Sequence, residues 1–333
     1  MNLPELSILI VSYNTRALLA DCLRSLRRVS DEAKFETIVV DNASSDGSAD
    51  FVAEDFPEVK LVRLPQNNGF AAGMNAGIAA SSGPLILALN PDAVVVPGTL
   101  RKLLTFMKEN PRAAVVGAVL TFPDGRLQAS TFHFPSLFRE FWNFLPELKG
   151  LLKRGRSWSN QLAEREPFQT DCVSGAALLA RTEAVKAIGG FDEEFFLYHE
   201  EMDLCTSLKK AGWEIWSVPE AQVVHLDAQS SGYRQNRLPH DPILSWRLSG
   251  MDRLWAKHKS SFQHRLWRCQ AKSLLWVRIV LLSRGALFSS KYRQRIGELR
   301  RVAKMLKAAR VLAFPPQSGG RELEQAINRT KGV

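Results

Sequence analysis

No stretch of this chain approaches the ~20 consecutive apolar residues that a membrane-spanning helix needs. The nearest is Leu274-Leu275-Trp276-Val277-Arg278-Ile279-Val280-Leu281-Leu282, which is far too short and is interrupted by Arg278. The four cysteines (Cys22, Cys172, Cys205, Cys269) are widely spaced and form no C-x-x-C pair. That leaves no sign of a disulfide framework, and a reducing compartment with inert, buried thiols is expected. There is no internal repeat of solenoid period. A signal-peptide pattern is also missing, because Met1 to Glu5 lead directly into the strand-like Leu6-Ser7-Ile8-Leu9-Ile10-Val11. The expected location is therefore cytoplasmic.

The C-terminal part is short of acid. Residues 244–333 hold 4 Asp+Glu against 20 Lys+Arg, a net +16, whereas residues 1–243 hold 30 Asp+Glu against 24 Lys+Arg, a net −6. Such a split marks a polyanion-seeking tail on an acidic body, with nucleic acid and anionic lipid as the two possible targets. The tail carries Trp246, Trp255, Trp267 and Trp276, and further on Ile296, Leu299, Val302, Leu306 and Ala309 recur at helical spacing. Arg300, Arg301, Lys304, Lys307 and Arg310 fill the other face. A basic amphipathic helix with interfacial tryptophans suits an anionic membrane surface. The competing expectation is a helix docked on the protein's own body with its basic face solvated.

What is present in the first 120 residues is an alternation of apolar runs and helical patterns. Strands are expected at Leu6–Val11, Thr37–Val40, Val59–Leu64, Leu85–Leu89 and Ala113–Val119. Helices are expected at Arg16–Val29, Ser48–Asp55, Phe70–Ala80 and Thr99–Asn110. This β-α-β-α order predicts an α/β fold with a mainly parallel sheet flanked by helices. Residues 130–167 break the pattern with aromatic and basic side chains and read as an excursion or flap, or as aromatics that cover one sheet face. Strand patterns return at Phe168–Val173 and Ala176–Ala180, followed by helices at Thr182–Ile188 and Glu200–Ala211. Short strands are then expected at Glu214–Val218 and Ala221–Val224. Two regions are expected: 1–241 as the main domain and 242–333 as a helical basic extension.

Four short patches carry chemistry. Asp41, like Ser12-Tyr13-Asn14, ends an apolar strand, where open α/β sheets bind ligands. Its carboxylate can accept the N3–H of uracil or thymine, or Asp41-Asn42-Ala43-Ser44 can simply be a turn and cap. Asp46-Gly47-Ser48 reads as a helix cap. In Asn67-Asn68-Gly69-x-x-x-Gly73-x-Asn75-x-x-Gly77, small residues allow close packing of a helix start whose N–H groups favour a diphosphate. It matches neither the dinucleotide nor the P-loop pattern. Asn90-Pro91-Asp92 follows a very apolar run, and Asp92 can give a hard divalent cation one carboxylate. His225 stands at the end of Ala221–Val224. Finally, Glu200, Glu201 and Asp203 crowd a helix start, where acids favour the macrodipole by about 0.3–1 kcal/mol each.

These patches, in this order, resemble the family-two glycosyltransferases of the GT-A (Rossmann-like) fold, in particular their rhamnosyltransferase-like branch. The resemblance covers roughly residues 5–230. It implies that Asp41 reads the base, with Ser12, Tyr13 and Asn14 beside the ribose, and that Asn68 and Asn75 line the nucleotide site. Asn90-Pro91-Asp92 looks like the family's D-x-D motif with Asn90 in place of the first Asp. That leaves Asp92 and His225 as the implied ligands of Mg2+ or Mn2+. Relatives carry Glu-Asp-x-Asp where this chain has Glu200-Glu201-Met202-Asp203. The catalytic base therefore maps to Glu201, a departure of one methylene, with Glu200, Asp203, Gly175 and Asp192 in supporting or acceptor-side positions. The implied reaction is inverting transfer of a sugar from a nucleoside diphosphate, with dTDP-L-rhamnose favoured although UDP-sugars share the same contacts. The implied acceptor is a saccharide or polyprenyl-diphosphate-linked hydroxyl in surface-polysaccharide assembly, met by a peripheral protein at the inner face of the plasma membrane. Two other readings stand beside it. A nucleotidyltransferase should show a Gly-rich loop with a basic residue near the first strand, and Ile10-Val11-Ser12-Tyr13-Asn14 offers none. A non-catalytic nucleotide-sugar- or nucleic-acid-binding protein could keep the fold without turnover, although no nucleic-acid motif accompanies the charge.

Overall fold

The computed structural model describes residues 3–144, 166–226, 241–286, 296–297 and 299–304. The chain divides into two compact units, one made of residues 1–133, 156–234 and 316–333, the other of residues 134–155 and 235–315.

The first unit is built on a mixed sheet. In chain order its elements are β1 (Leu6–Ser12), α1 (Arg16–Arg28), β2 (Phe35–Asp41), α2 (Ser48–Asp55), β3 (Lys60–Arg63), α3 (Phe70–Ala80), β4 (Leu85–Leu89), β5 (Ala93–Val95) and α4 (Thr99–Glu109). They continue with β6 (Ala113–Thr121), β7 (Thr131–Phe132), β8 (Phe168–Gln169), β9 (Cys172–Val173), β10 (Ala177–Arg181), α6 (Thr182–Ala187), α7 (Glu200–Lys210) and β11 (Glu214–His225). The second unit holds α5 (Leu137–Phe144), α8 (Asp241–His258), α9 (Ser261–Ala286) and the helical residues 296–297 and 299–304.

The sheet runs β3-β2-β1-β4-β10-β6-β11-β5, with β8 also paired to β11. Strands β1 to β4 pair in parallel, each joined through a helix, and β1 is buried at every position. That near-continuous burial is what a parallel strand covered on both faces requires. On α1, Leu19, Cys22, Leu23 and Leu26 follow helical spacing and are buried against the sheet core.

The α/β architecture with flanking helices is as the sequence predicts, but the sheet is less parallel than expected. Strand β10 lies antiparallel to both β4 and β6, and β5 and β8 lie antiparallel to β11. Only crossover connections reveal themselves as β-α-β alternation, so an inserted antiparallel strand leaves no such mark. Three further differences are local. Glu214–Val218 and Ala221–Val224 form one strand with an irregularity between Val218 and Gln222. Phe168–Val173 is split into β8 and β9, and β5 was not anticipated.

Within the second unit, Trp255, Trp267, Ala271, Leu275, Ile279 and Leu282 form a core together with Ile296, Leu299 and Val302. Trp255 and Trp267 stack with ring centroids 5.7 Å apart. The expected lipid-facing stripe of Ile296, Leu299 and Val302 is thus buried within the unit, with Arg300, Arg301 and Lys304 exposed. Of the four tail tryptophans, Trp246, Trp255 and Trp267 are also buried, and only Trp276 is exposed. Leu306, Lys307, Ala309 and Arg310, and most of the excursion after Phe144, lie outside the described residues. Cys22, Cys172 and Cys205 are buried as expected, whereas Cys269 is exposed on α9. Among the described residues, no helix is long and apolar enough to cross a membrane.

Candidate active site

The end of β1 and the end of β2 are adjacent, because Ser12 pairs with Asp41 in parallel register. The loops that follow are tied together. The Asn42 N–H donates to the Ser12 carbonyl (2.8 Å), the Asn14 N–H to Ser44 Oγ (2.9 Å), and the Ser45 N–H to Asn14 Oδ1 (2.7 Å). Ser12 Oγ pairs with Thr15 Oγ1 at 2.8 Å. Asn14 and Ala43 both sit at positive φ, 54° and 63°. Non-glycine residues take that region only when their surroundings over-determine it. Ser12 and Asn14 therefore shape the loop, with Tyr13 half-buried between them. Asp41 is buried; its Oδ2 accepts the Ser44 N–H at 3.1 Å, and its Oδ1 has no hydrogen-bond partner. Asp46 accepts the N–H groups of Arg16 and Ser48 at 3.0 Å each, and so serves the first residues of α1 and α2 from one position before the Gly47 cap.

Asn42 connects this corner to the glycine-rich segment. Its Oδ1 accepts the Asn68 N–H (3.1 Å) and its Nδ2 donates to the Gly69 carbonyl (3.0 Å). The Phe70 N–H at the start of α3 donates to the Phe196 carbonyl at 2.7 Å. Gly69 has φ +88°, and a Cβ there would lie 2.3 Å from that same carbonyl oxygen, so no other residue fits. Asn68 accepts a hydrogen bond from Gln66 on its Oδ1. Asn75 clasps the loop from residue 190 to 193. Its Nδ2 donates to the Phe191 carbonyl and to Glu193 Oε1, both at 2.8 Å, and its Oδ1 accepts the Phe191 N–H at 2.9 Å. The bonds shown by Asn75 thus go to the polypeptide. Asp192, in the same loop, accepts the Glu194 N–H at 3.1 Å.

The third patch sits at the end of β4. Asp92 is 1% exposed, and the antiparallel pairing of Ala93 with His225 brings the imidazole beside it. His225 Nε2 lies 3.3 Å from Asp92 Oδ1 and 3.4 Å from Asn90 Nδ2. On the other side of the ring, Nδ1 is 3.0 Å from Gln128 Oε1, and Gln128 Nε2 donates to the His225 carbonyl. Gln128 Oε1 can only accept, so Nδ1 carries a proton and Nε2 is left to face the carboxylate. Among the described residues no cluster of three or more acidic, His or Cys side chains could hold a metal. Two protein ligands are nonetheless what a hard cation needs when substrate phosphates and water complete its shell. Beneath the turn, burial and then the Asp92 charge push the Cys22 thiol far up, which keeps it unreactive.

The fourth patch is brought to the third by β10. The Asn90 N–H donates to the Ala176 carbonyl (3.1 Å), and a Cβ placed on the neighbouring Gly175 would be 3.7 Å from the Glu201 Cβ. Tyr198 and His199 both take positive φ, 73° and 74°, and turn the chain sharply into α7. The first turn of α7 holds Glu200, Glu201 and Asp203, which suits the positive end of the helix. Their environments differ. Glu200 and Asp203 are buried and Glu201 is half-buried. Burial, and secondly the Glu201 charge, push the Glu200 carboxyl well above its ordinary range, and its Oε2 has no hydrogen-bond partner. Behind the helix, burial and then Cys205 push the Cys172 thiol up.

The four patches are therefore linked by named contacts: Asp41-Asn42 to Asn68-Gly69, Phe70 and Asn75 to the segment 191–196, and Asn90 through Ala176 to Gly175 and Glu201. Two members were missed from sequence. Asn42 was treated only as part of a cap, although its position directly after a strand-end Asp was a usable signal. Gln128 gave none, because it meets His225 across 97 positions of sequence.

Acidic side chains at the strand ends of an open α/β sheet stand where such sheets bind ligands. The family model "Glycosyl transferase family 2" matches residues 7–182, more than half of the chain, and the chain belongs to that family. It is a glycosyltransferase of the GT-A type. Among curated proteins it is 29% identical to the N-acetylglucosaminyl-diphospho-decaprenol L-rhamnosyltransferase of Mycobacterium tuberculosis, over 87% of this chain and 96% of that one. It is 26% identical to a low-salt glycan biosynthesis hexosyltransferase of Haloferax volcanii, over 67% of each chain. Among solved structures, a mannosyltransferase from Pyrobaculum calidifontis in complex with GDP-Man and Mn2+ matches with a TM-score of 0.57 and 17% identity, covering 93% of this chain and 88% of that one. A structure of GalNAc-T7 with UDP, GalNAc and Mn2+ matches with a TM-score of 0.55 and 15% identity, and there this chain covers 48% of the other. At these identities the structural matches speak to the fold.

Proposed function

We propose that this glycosyltransferase moves L-rhamnose from dTDP-L-rhamnose to a hydroxyl of a lipid-diphosphate-linked saccharide, with inversion at the anomeric carbon. The observation that carries the proposal is the approach of Gly175 to Glu201, tied through Ala176 to Asn90, which sets a half-buried carboxylate near the end of β4. The Mycobacterium tuberculosis relative, similar along nearly its whole length, supports the choice of sugar and acceptor class. The pyrimidine base would hydrogen-bond to the unpartnered Asp41 Oδ1. Such a buried oxygen is costly when unsatisfied, by about 1–3 kcal/mol, and a ligand N–H removes that cost. Ser12, Tyr13, Asn14 and Asn68 would line the nucleoside side, with Asn75 holding the loop at 191–193 beside them.

Glu201 would take the proton of the acceptor hydroxyl as its oxygen attacks the anomeric carbon from the face opposite the leaving diphosphate. Burial, and secondly the Glu201 charge, raise the Glu200 carboxyl above its ordinary range, and Asp203 supports the same helix start. Asp92 and His225 would hold Mg2+ or Mn2+, with Gln128 fixing the imidazole tautomer and Asn90 beside it. Held there, a divalent cation would supply positive charge to the departing diphosphate. In this reading residues 1–241 are the catalytic domain, and the basic extension 242–333 holds the protein on the inner face of the membrane where a lipid-linked acceptor is found. The test is nucleoside diphosphate release from a panel of sugar nucleotides with a polyprenyl-diphosphate acceptor, with and without Mn2+. Glu201→Gln should lower transfer by about 10²–10⁴-fold while leaving donor binding intact. Full activity of that variant would remove Glu201 from the reaction, and turnover of UDP-sugars alone would replace rhamnose as the donor.

A further inference from the structure

Helix α9 is apolar on two opposite sides. Trp267, Ala271, Leu275 and Leu282 are buried in the core of the second unit. At about 100° per residue, Phe262, Leu266, Trp276, Val277 and Val280 fall together in an arc on the other side. All five are exposed, Phe262 at 67%, Trp276 at 62% and Val280 at 63%. From Phe262 to Val280 this arc runs along about 27 Å of helix. Cys269 and Ser273 lie in the same arc between Leu266 and Trp276, and five exposed apolar side chains on one helix face exceed the single, scattered exposure ordinary for a surface.

The charge on α9 indicates what covers the arc. The helix contains Arg265, Arg268, Lys272, Arg278 and Arg284 and no Asp or Glu. Arg268 is engaged by Asp252 at 3.2 Å. Arg265 and Lys272 are exposed and lie along one edge of the apolar arc. A second copy of the chain laid helix to helix on this seam would bring Arg265 and Lys272 against their own kind, with no acid on either helix to offset them. A bilayer with anionic headgroups satisfies both features at once, because it accepts apolar side chains at the acyl boundary and cations in the headgroup layer. The helix is not long and apolar enough to cross.

We propose that the outer face of α9 is the membrane-docking surface of this protein. The helix lies flat on an anionic bilayer with Phe262, Leu266, Trp276, Val277 and Val280 in the acyl boundary and Arg265 and Lys272 at the phosphates. This rests on the membrane-surface reading above but moves it from the segment 296–310 and the buried tryptophans to one helix face. It does not depend on the sugar chemistry.

The test is co-sedimentation of the full-length protein with phosphatidylcholine vesicles, with and without phosphatidylglycerol. Partitioning onto the anionic vesicles should fall by about tenfold or more in the Trp276→Asp/Val280→Asp variant. It should fall comparably in Arg265→Glu/Lys272→Glu. The thermal midpoint and release of nucleoside diphosphate with a lipid-free acceptor should stay unchanged in both variants, because these side chains are solvent-exposed. Binding to anionic vesicles that is indifferent to both pairs would overturn the α9 face while leaving a membrane protein that docks elsewhere. No binding to either vesicle would overturn both readings. A dimer in sedimentation equilibrium that the Trp276/Val280 pair dissociates would show that a second copy covers the arc, which also defeats the proposal.

Discussion

In the sheet-bearing unit, β1 and β6 are buried at every position and groups without partners are buried oxygens and nitrogens such as Asp41 Oδ1, Asn67 Nδ2 and Glu200 Oε2. In the helical unit the imbalance points outward and is apolar, from Phe262 to Val280 on α9. That unit does bury two indole N–H groups without partners, those of Trp255 and Trp267, but they belong to one stacked pair in its core. An unsatisfied buried oxygen is tolerated where a small polar ligand completes it. An exposed apolar arc requires an extended surface instead. The first unit therefore has the signature of a site for a molecule with hydrogen-bonding edges. The second has that of a docking face.

The contrast is sharpest between two tryptophans of the same helix. Trp267→Ala opens the helical core and should cost about 3–5 kcal/mol. Trp276→Ala, nine positions on and exposed, should stay within about 0.5 kcal/mol of the parent. Urea unfolding followed by circular dichroism measures both, and equal losses would mean that the outer face of α9 is a core surface after all.

A smaller effect is expected at Gln128. Removing the group that orients His225 should weaken the apparent activation by Mn2+ about 10–100-fold, the usual cost of losing a ligand's hydrogen-bond partner. A Mn2+ titration of Gln128→Ala that overlays the parent curve would show that His225 does not act through a metal.

The smallest effect concerns pH. The Glu200 carboxyl is raised in the folded state above its ordinary 4.5. Its contribution is therefore fully present below that value and is lost as pH rises towards the raised one. The unfolded chain releases the proton first, so stability falls with pH by up to about 1.4 kcal/mol per unit across that window. Glu200→Gln keeps a neutral side chain at every pH and should flatten the slope. Parallel pH profiles of stability for the two proteins would place the charge on Glu200 rather than on Glu201.

The early β-α-β alternation was readable because strands buried on both faces are written as apolar runs. Helix α3 is readable from Phe70 to Ala80 because Gly69 and the small residues after it punctuate the chain. Strand β10 was readable at Ala176–Ala180, but its antiparallel pairing and the three-residue β5 were not, since their place depends on partners about 90 and 130 positions away. The tail shows the opposite failure. Helical spacing correctly indicates an apolar stripe at Ile296, Leu299 and Val302, but spacing cannot say whether the stripe meets lipid or protein.

The sequence by itself determined which side chains are available: carboxylates at Asp41, Asp92 and Glu201, small residues between 69 and 77, and a tail with few acids. Local rules suffice for that, because strand ends, helix starts and charge balance are properties of neighbouring residues. The tertiary structure decided which of them work together. It set His225 against Asp92 through the Ala93 pairing, fixed its tautomer with Gln128, and turned Asn75 to the loop at 191–193. It also buried one face of α9 and exposed the other. Those outcomes depend on strand register and on packing between segments distant in sequence, and no local spacing encodes either.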